Sequence, residues 1–142
     1  MPVQVGEFRR ANDRFINLRI VSQNRWGEIT AIEGSMQGIL GGRNPAIANR
    51  PQRYHFYINV NNIRTNQIPE VWILDPPEEN ILHVNLWPPA RCIDLNRDLP
   101  HVCWGGNIRI WAQMEVHQRQ LLALLEMLRT VLNTQDFGSP AR

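Results

Sequence analysis

The chain has 142 residues, 20% of them charged, and a net charge of +2, which suits one globular domain with its own core and excludes disorder or a strongly polyanion-binding surface. Its two cysteines are too few for a disulfide framework and point to a reducing compartment, so a cytoplasmic location is expected. No apolar run approaches a membrane span, the first ten residues hold no signal-peptide apolar region, and the arginines are scattered, so neither membrane nor nucleic acid is expected as a partner.

In chain order, residues 7–23 predict a helix, with Phe8, Ala11, Phe15 and Leu18 at helical spacing and Arg9, Arg10, Asp13 and Arg14 on other faces. The Asn and Gly of residues 24–27 should end it. Residues 28–33 predict a strand, and 35–51 a short strand fragment followed by a Gly/Asn/Pro-rich loop. The Gly41-Gly42 pair is not a phosphate loop, because no GK[ST] follows and no helix pattern opens behind it. Tyr54, Phe56, Ile58 and Val60 alternate with His55, Tyr57 and Asn59, the pattern of a half-buried antiparallel strand. A polar connection leads to a strand over 68–74 and a turn over 75–80.

Residues 81–95 (ILHVNLWPPARCIDL) hold a His, an Asn, a Pro-Pro break and a cysteine between apolar flanks. Residues 96–111 read as an insertion with a small hairpin around Gly105-Gly106. A helix is expected over 113–133, where Leu121, Leu124, Leu125, Leu128 and Leu132 form a continuous apolar stripe that Leu122 and Val131 widen. The stripe lasts too few heptads for a coiled coil. No repeat or linker divides the chain.

A thiol with an amide donor nearby is a short kit for acyl transfer: the thiolate attacks and the amide stabilises the oxyanion. On that reading Cys92 is the nucleophile; a buried structural cysteine is the plainer role, against which Arg91, Asp94 and Pro88-Pro89 around it suggest an irregular surface turn. Asn85 is the oxyanion donor, with holding its own loop as the plainer role. His83 reads as a ring that fixes the loop rather than as a base. Ser139 and Asp136 are candidates for positioning or deprotonating an incoming amine, with a role in the turn after the last helix as the plainer reading of each. The rival reading is a zinc site of His83, Cys92, His101 and Cys103, whose spacings contain no C-x-x-C or H-x-x-x-H.

The His83-Val84-Asn85 triplet, followed by Cys92-Ile93, resembles the His-Pro-Asn and Cys-Leu elements of ubiquitin-conjugating enzymes. Ile68-Pro69 resembles that family's proline loop, and Ser139 falls where the family has a Ser or Asp gating the active site. The family places a Trp-Ser-Pro about eight residues beyond its cysteine; here Trp104 and Trp111 stand without a following proline. The resemblance implies an α+β fold with an N-terminal helix, a four-stranded antiparallel meander, an active-site loop and a C-terminal helix. It implies a transferase that takes a ubiquitin-like modifier from an activating enzyme onto Cys92 as a thioester and passes it to an amine of a target protein. No cofactor is expected, since ATP is consumed by the activating enzyme. Arg9, Arg10 and Arg14 on the first helix are its implied contacts with that enzyme, with ordinary solvation as the plainer reading of that face. A ligase partner is left in doubt, because Asn61 replaces a ligase-facing proline. The eroded motifs are most similar to the divergent bacterial members found in anti-phage defence operons; a catalytically inactive binding module of the same fold is the other alternative.

The basic residues number 15, and every one is arginine. Base composition accounts for this only if the plentiful Asn and Ile are set aside. Selection against side-chain amines accounts for it chemically, because an activated acyl group attacks lysine and guanidinium stays protonated. Both readings stand level.

Overall fold

The computed structural model describes residues 1–15 and 17–142. Among them are three α-helices, α1 (Val5–Arg14), α2 (Asn107–Gln113) and α3 (Leu121–Asn133). Six strands form one antiparallel sheet: β1 (Arg19–Gln23), β2 (Ile29–Ile39), β3 (Pro51–Asn59), β4 (Val71–Asp75), β5 (Leu86–Cys92) and β6 (Arg97–Val102). The class is α+β, as expected. The sheet order is β1-β2-β3-β4-β6-β5, so a meander of four strands is extended by a hairpin to six.

The alternation in β3 sorts its two faces. Tyr54, Phe56 and Ile58 enter the core with Ile29, Ile32, Ile73 and Trp111, and α3 closes that core across β2 and against α1. Every leucine of the α3 stripe is buried, because a period of 3.6 turns all five to one side. Gly38 lets the layers meet: a Cβ there would lie 2.7 Å from the Leu132 carbonyl oxygen.

Several expectations are corrected. The first helix ends at Arg14 rather than near residue 23; Ile16, inside the expected span, lies outside the described residues. Residues 19–23 pair with β2 instead, and the Asn and Gly of 24–27 form the β1–β2 turn. The β-branched Ile20 and Val21 suit a strand better than a helix. The strand fragment expected after Ser35 is the second half of an eleven-residue β2. The long helix starts at Leu121, after a short 3-10 turn at Val116–Gln118.

The largest correction concerns residues 81–111. The expected active-site loop is mostly strand β5, and its Pro-Pro pair is absorbed as a register shift between Trp87 and Ala90. The hairpin turn falls at residues 93–96, with Asn96 at φ 52°, a left-handed value that Asn tolerates. Gly105-Gly106 leads into α2 rather than turning a hairpin. The β5–β6 tip is tied back to β3, where Tyr57 and Asn59 each donate to Asp94 Oδ2 at 2.9 Å. Burial, and then the Asp94 carboxylate, push the Tyr57 phenol up, so it remains a donor.

Candidate active site

The expected partners Cys92 and Asn85 do not meet. Cys92 closes the far end of β5, opposite Arg97, and is only 1% exposed. Asn85 directly precedes that strand, and seven extended residues span about 20 Å. The surface turn expected around Cys92 is a strand end whose thiol is covered. These two groups cannot share a reacting atom, which corrects the pairing expected from the sequence.

Asn85 is instead a structural hub. It is 8% exposed, and its Nδ2 donates to the carbonyls of Val131 at 2.9 Å and Thr134 at 2.8 Å. These lie at the end of α3, where carbonyls have no partner within the helix. Its Oδ1 accepts the N–H of Asp136 at 3.0 Å. Both amide donors are engaged, so Asn85 has no N–H left for an oxyanion in this arrangement.

His83 is fully buried. Its Nε2 lies 3.1 Å from the Leu132 carbonyl, and its Nδ1 accepts the N–H of Asn85 at 3.2 Å. The carbonyl can only accept, so the imidazole is the neutral Nε2–H tautomer. Burial, with a smaller effect from Arg142, lowers its pKa from 6.5 to about 4 against the opposing Leu132 bond. The ring fixes the loop.

The Gly41-Gly42 pair has its use here. Gly41 has φ 75°, and a Cβ on it would come 2.8 Å from the His83 Cα. Gln135 then bridges the two segments, its Oε1 accepting from Gly42 and Val84 and its Nε2 donating to the Gly42 carbonyl.

The cysteine that meets Asn85 is Cys103, through its backbone. Its N–H donates to the Asn85 carbonyl at 2.8 Å, continuing the β5–β6 ladder one step beyond Leu86 and Val102. Cys103 is partly exposed. It lies where two hollows adjoin. One, of about 150 Å³, is bordered by Asn85, Cys103, Thr130, Thr134, Asp136 and Ser139, and also by Trp104 and Val131. The other, of about 440 Å³, is bordered by Cys103 together with Ile68, Trp87, Trp104 and Ile108. Of the sequence candidates, then, Asn85, Asp136 and Ser139 come together, and Cys92 is elsewhere.

Trp111 lies eight residues beyond Cys103, and it is fully buried. Counted from Cys92, neither tryptophan has that spacing. The β5–β6 hairpin lies between the His-x-Asn triplet and the second cysteine.

The zinc reading finds no cluster: among the described residues no three His, Cys, Asp or Glu side chains gather as a metal site. His83 faces α3, Cys92 ends β5, and His101 pairs with Glu70 at 3.2 Å between the rings of Trp72 and Trp87. On α1, Arg9 and Arg10 are exposed, while Arg14 is held by Glu126 on α3 at 2.8 Å. Among the described residues no helix is long and apolar enough to cross a membrane. The chain matches no protein-family model, no curated protein and no solved structure.

Proposed function

We propose that the chain is a thioester-forming carrier of the ubiquitin-conjugating type, with Cys103 in place of Cys92 as the thiol. The observation that carries this is the gathering of a partly exposed cysteine, Asp136 and Ser139 around the segment held by Asn85. The Cys103–Trp111 spacing and the lysine-free composition support the same reading.

The chemistry is two acyl exchanges. The Cys103 thiolate attacks the carbonyl carbon of a modifier thioester on the activating enzyme; the new C–S bond forms, and that enzyme's cysteine leaves as thiolate. Exchange between similar thiols needs only modest activation. An acceptor amine then attacks the carbonyl, the C–N bond forms, the C–S bond breaks, Cys103 regains its thiolate and the amine proton passes to water. Asp136 and Ser139 stand where they orient that amine. Asn85 acts by holding the end of α3 and the Asp136 backbone beside the thiol, as a positioning residue. Arg9 and Arg10 are the exposed basic contacts for the activating enzyme, and bacterial anti-phage conjugation in the cytoplasm is the setting that the eroded motifs suit.

The test is incubation with an activating enzyme, its ubiquitin-like protein and ATP, read on gels with and without reductant. A reductant-sensitive adduct that persists in Cys92→Ser and disappears or becomes a stable ester in Cys103→Ser is the expected result. Dependence on Cys92 alone overturns the assignment. A folded protein that binds the modifier but never forms the adduct favours the inactive binding module.

A further inference from the structure

The segment after α3 is tied down at both ends. Near α3, Asp136 is held by Asn85 and Gln135 by Gly42 and Val84. At the far end the Ala141 N–H donates to the Val84 carbonyl at 2.7 Å. The Arg142 guanidinium then reaches three groups. It forks onto Glu78, with Nη1 to Oε1 at 2.7 Å and Nη2 to Oε2 at 2.9 Å. It also donates to the carbonyls of Leu86 at 2.7 Å and Trp87 at 2.9 Å. Residues 136–140 between these anchors are exposed, and two of them, Asp136 and Ser139, border the Cys103 hollow.

Resting on the carrier reading, we propose that Arg142 is a positioning residue for the reaction at Cys103. A planar guanidinium that binds a carboxylate through two parallel bonds fixes direction as well as distance. The Arg142 side chain is 16% exposed, which limits screening by salt. Its bonds act on two walls of the site. They set where the 136–140 loop ends, and they hold the first two residues of β5, from whose ladder Cys103 hangs. A loop that carries the amine-orienting groups and is loosened at one end loses rate steeply, because reacting groups displaced by about 1 Å lose about a hundredfold.

The experiment uses the full chain acylated at Cys103 by thiol exchange with an N-acetyl-glycylglycine thioester, then discharged to free lysine and followed by intact mass. Wild type is compared with Arg142→Ala, Arg142→Lys, Glu78→Ala and Glu78→Gln, all well below their melting temperatures. The expected result is a fall of about tenfold or more in the discharge rate at saturating lysine for Arg142→Ala, with the half-saturating lysine concentration changed by less than about twofold. Arg142→Lys keeps the charge but not the fork and falls between. Glu78→Gln and Glu78→Ala fall in the same direction, and Arg142→Ala combined with Glu78→Ala is no slower than Arg142→Ala alone. Alkylation of Cys103 by iodoacetamide, mapped by peptide mass, rises by about threefold in Arg142→Ala as the loop loosens. Discharge and alkylation at wild-type values in Arg142→Ala overturn the proposal. If wild-type acyl-Cys103 discharges no faster than the same acyl thioester of glutathione, the carrier reading falls. The alkylation comparison then decides by itself whether Arg142 holds the loop over Cys103.

Discussion

The Cys103 N–H donates to the Asn85 carbonyl at 2.8 Å, and this one bond brings the second thiol beside the residue whose side chain ends α3. The β5–β6 hairpin of the sheet starts at Leu86 and closes at its partner Val102, so residues 18 apart in sequence become neighbours. Cys92, closer in sequence, is carried away on the hairpin.

The first consequence is a contrast in thiol reactivity. Cys103 is partly exposed, whereas Cys92 is covered at the strand end beside the Asp94 tie. In the native protein iodoacetamide should label Cys103 faster than Cys92 by about tenfold or more, because Cys92 needs local opening of the hairpin. Equal labelling rates, mapped by peptide mass, would show that the hairpin does not cover its thiol. The Tyr57→Phe variant removes one of the two bonds to Asp94 and should accelerate Cys92 only.

Asn85 gives a prediction about stability. Replacing it with alanine leaves the Val131 and Thr134 carbonyls and the Asp136 N–H without their partner, at a cost of about 2 kcal/mol. Asn85→Asp should cost more, since a carboxylate would face two carbonyl oxygens. Urea denaturation measures both. A side chain serving only an oxyanion would leave the midpoint unchanged when removed, and that outcome would sink the capping role.

The strongest local patterns were legible in the sequence. The α3 stripe and the β3 alternation are decided by burial on one face, which periodicity reports directly. Residues 19–23 were not legible, because Leu18 continues the helical spacing while the strand is selected by pairing with β2, a long-range contact. The candidate site was half legible. His83, Asn85, Asp136 and Ser139 could be picked out by type and order. Which cysteine joins them depends on the ladder that closes the β5–β6 hairpin, and Pro88-Pro89 read as a break when it is only a register shift. Arg142 gave no sequence signal, since its partners are mostly main-chain carbonyls.

His83 makes stability depend on pH in a defined direction. Its pKa is lowered from 6.5 to about 4 by burial, so the unfolded chain binds the proton more readily than the folded one. The contribution is complete above about pH 6.5 and is lost as the pH falls toward 4, amounting to about 3 kcal/mol over that interval. Protonation would place a second ring N–H against the Asn85 N–H that Nδ1 now accepts. The stability gap between wild type and His83→Gln should therefore narrow by about that amount between pH 7 and pH 4. A gap that stays constant, measured by urea denaturation at each pH, contradicts the neutral buried ring.

Glu7 joins α1 to the start of α3. Its carboxylate forms a buried ion pair with Arg64, whose Nη1 also donates to the Arg119 carbonyl. Glu7 Oε2 accepts the Leu121 N–H at 2.7 Å, one of the donors that the first turn of α3 leaves free. Removing one member of such a pair strands the other charge away from water, so Glu7→Ala should lose about 3 kcal/mol or more. Glu7→Gln keeps an acceptor for Leu121 and leaves Arg64 with a neutral partner, and should lose less. The pair of measurements separates the two contributions: equal losses in both variants would mean that the ion pair dominates, and a near-neutral Glu7→Gln would mean that the bond to α3 does. A Glu7→Ala protein as stable as wild type would show that α1 is not anchored to α3 through this carboxylate.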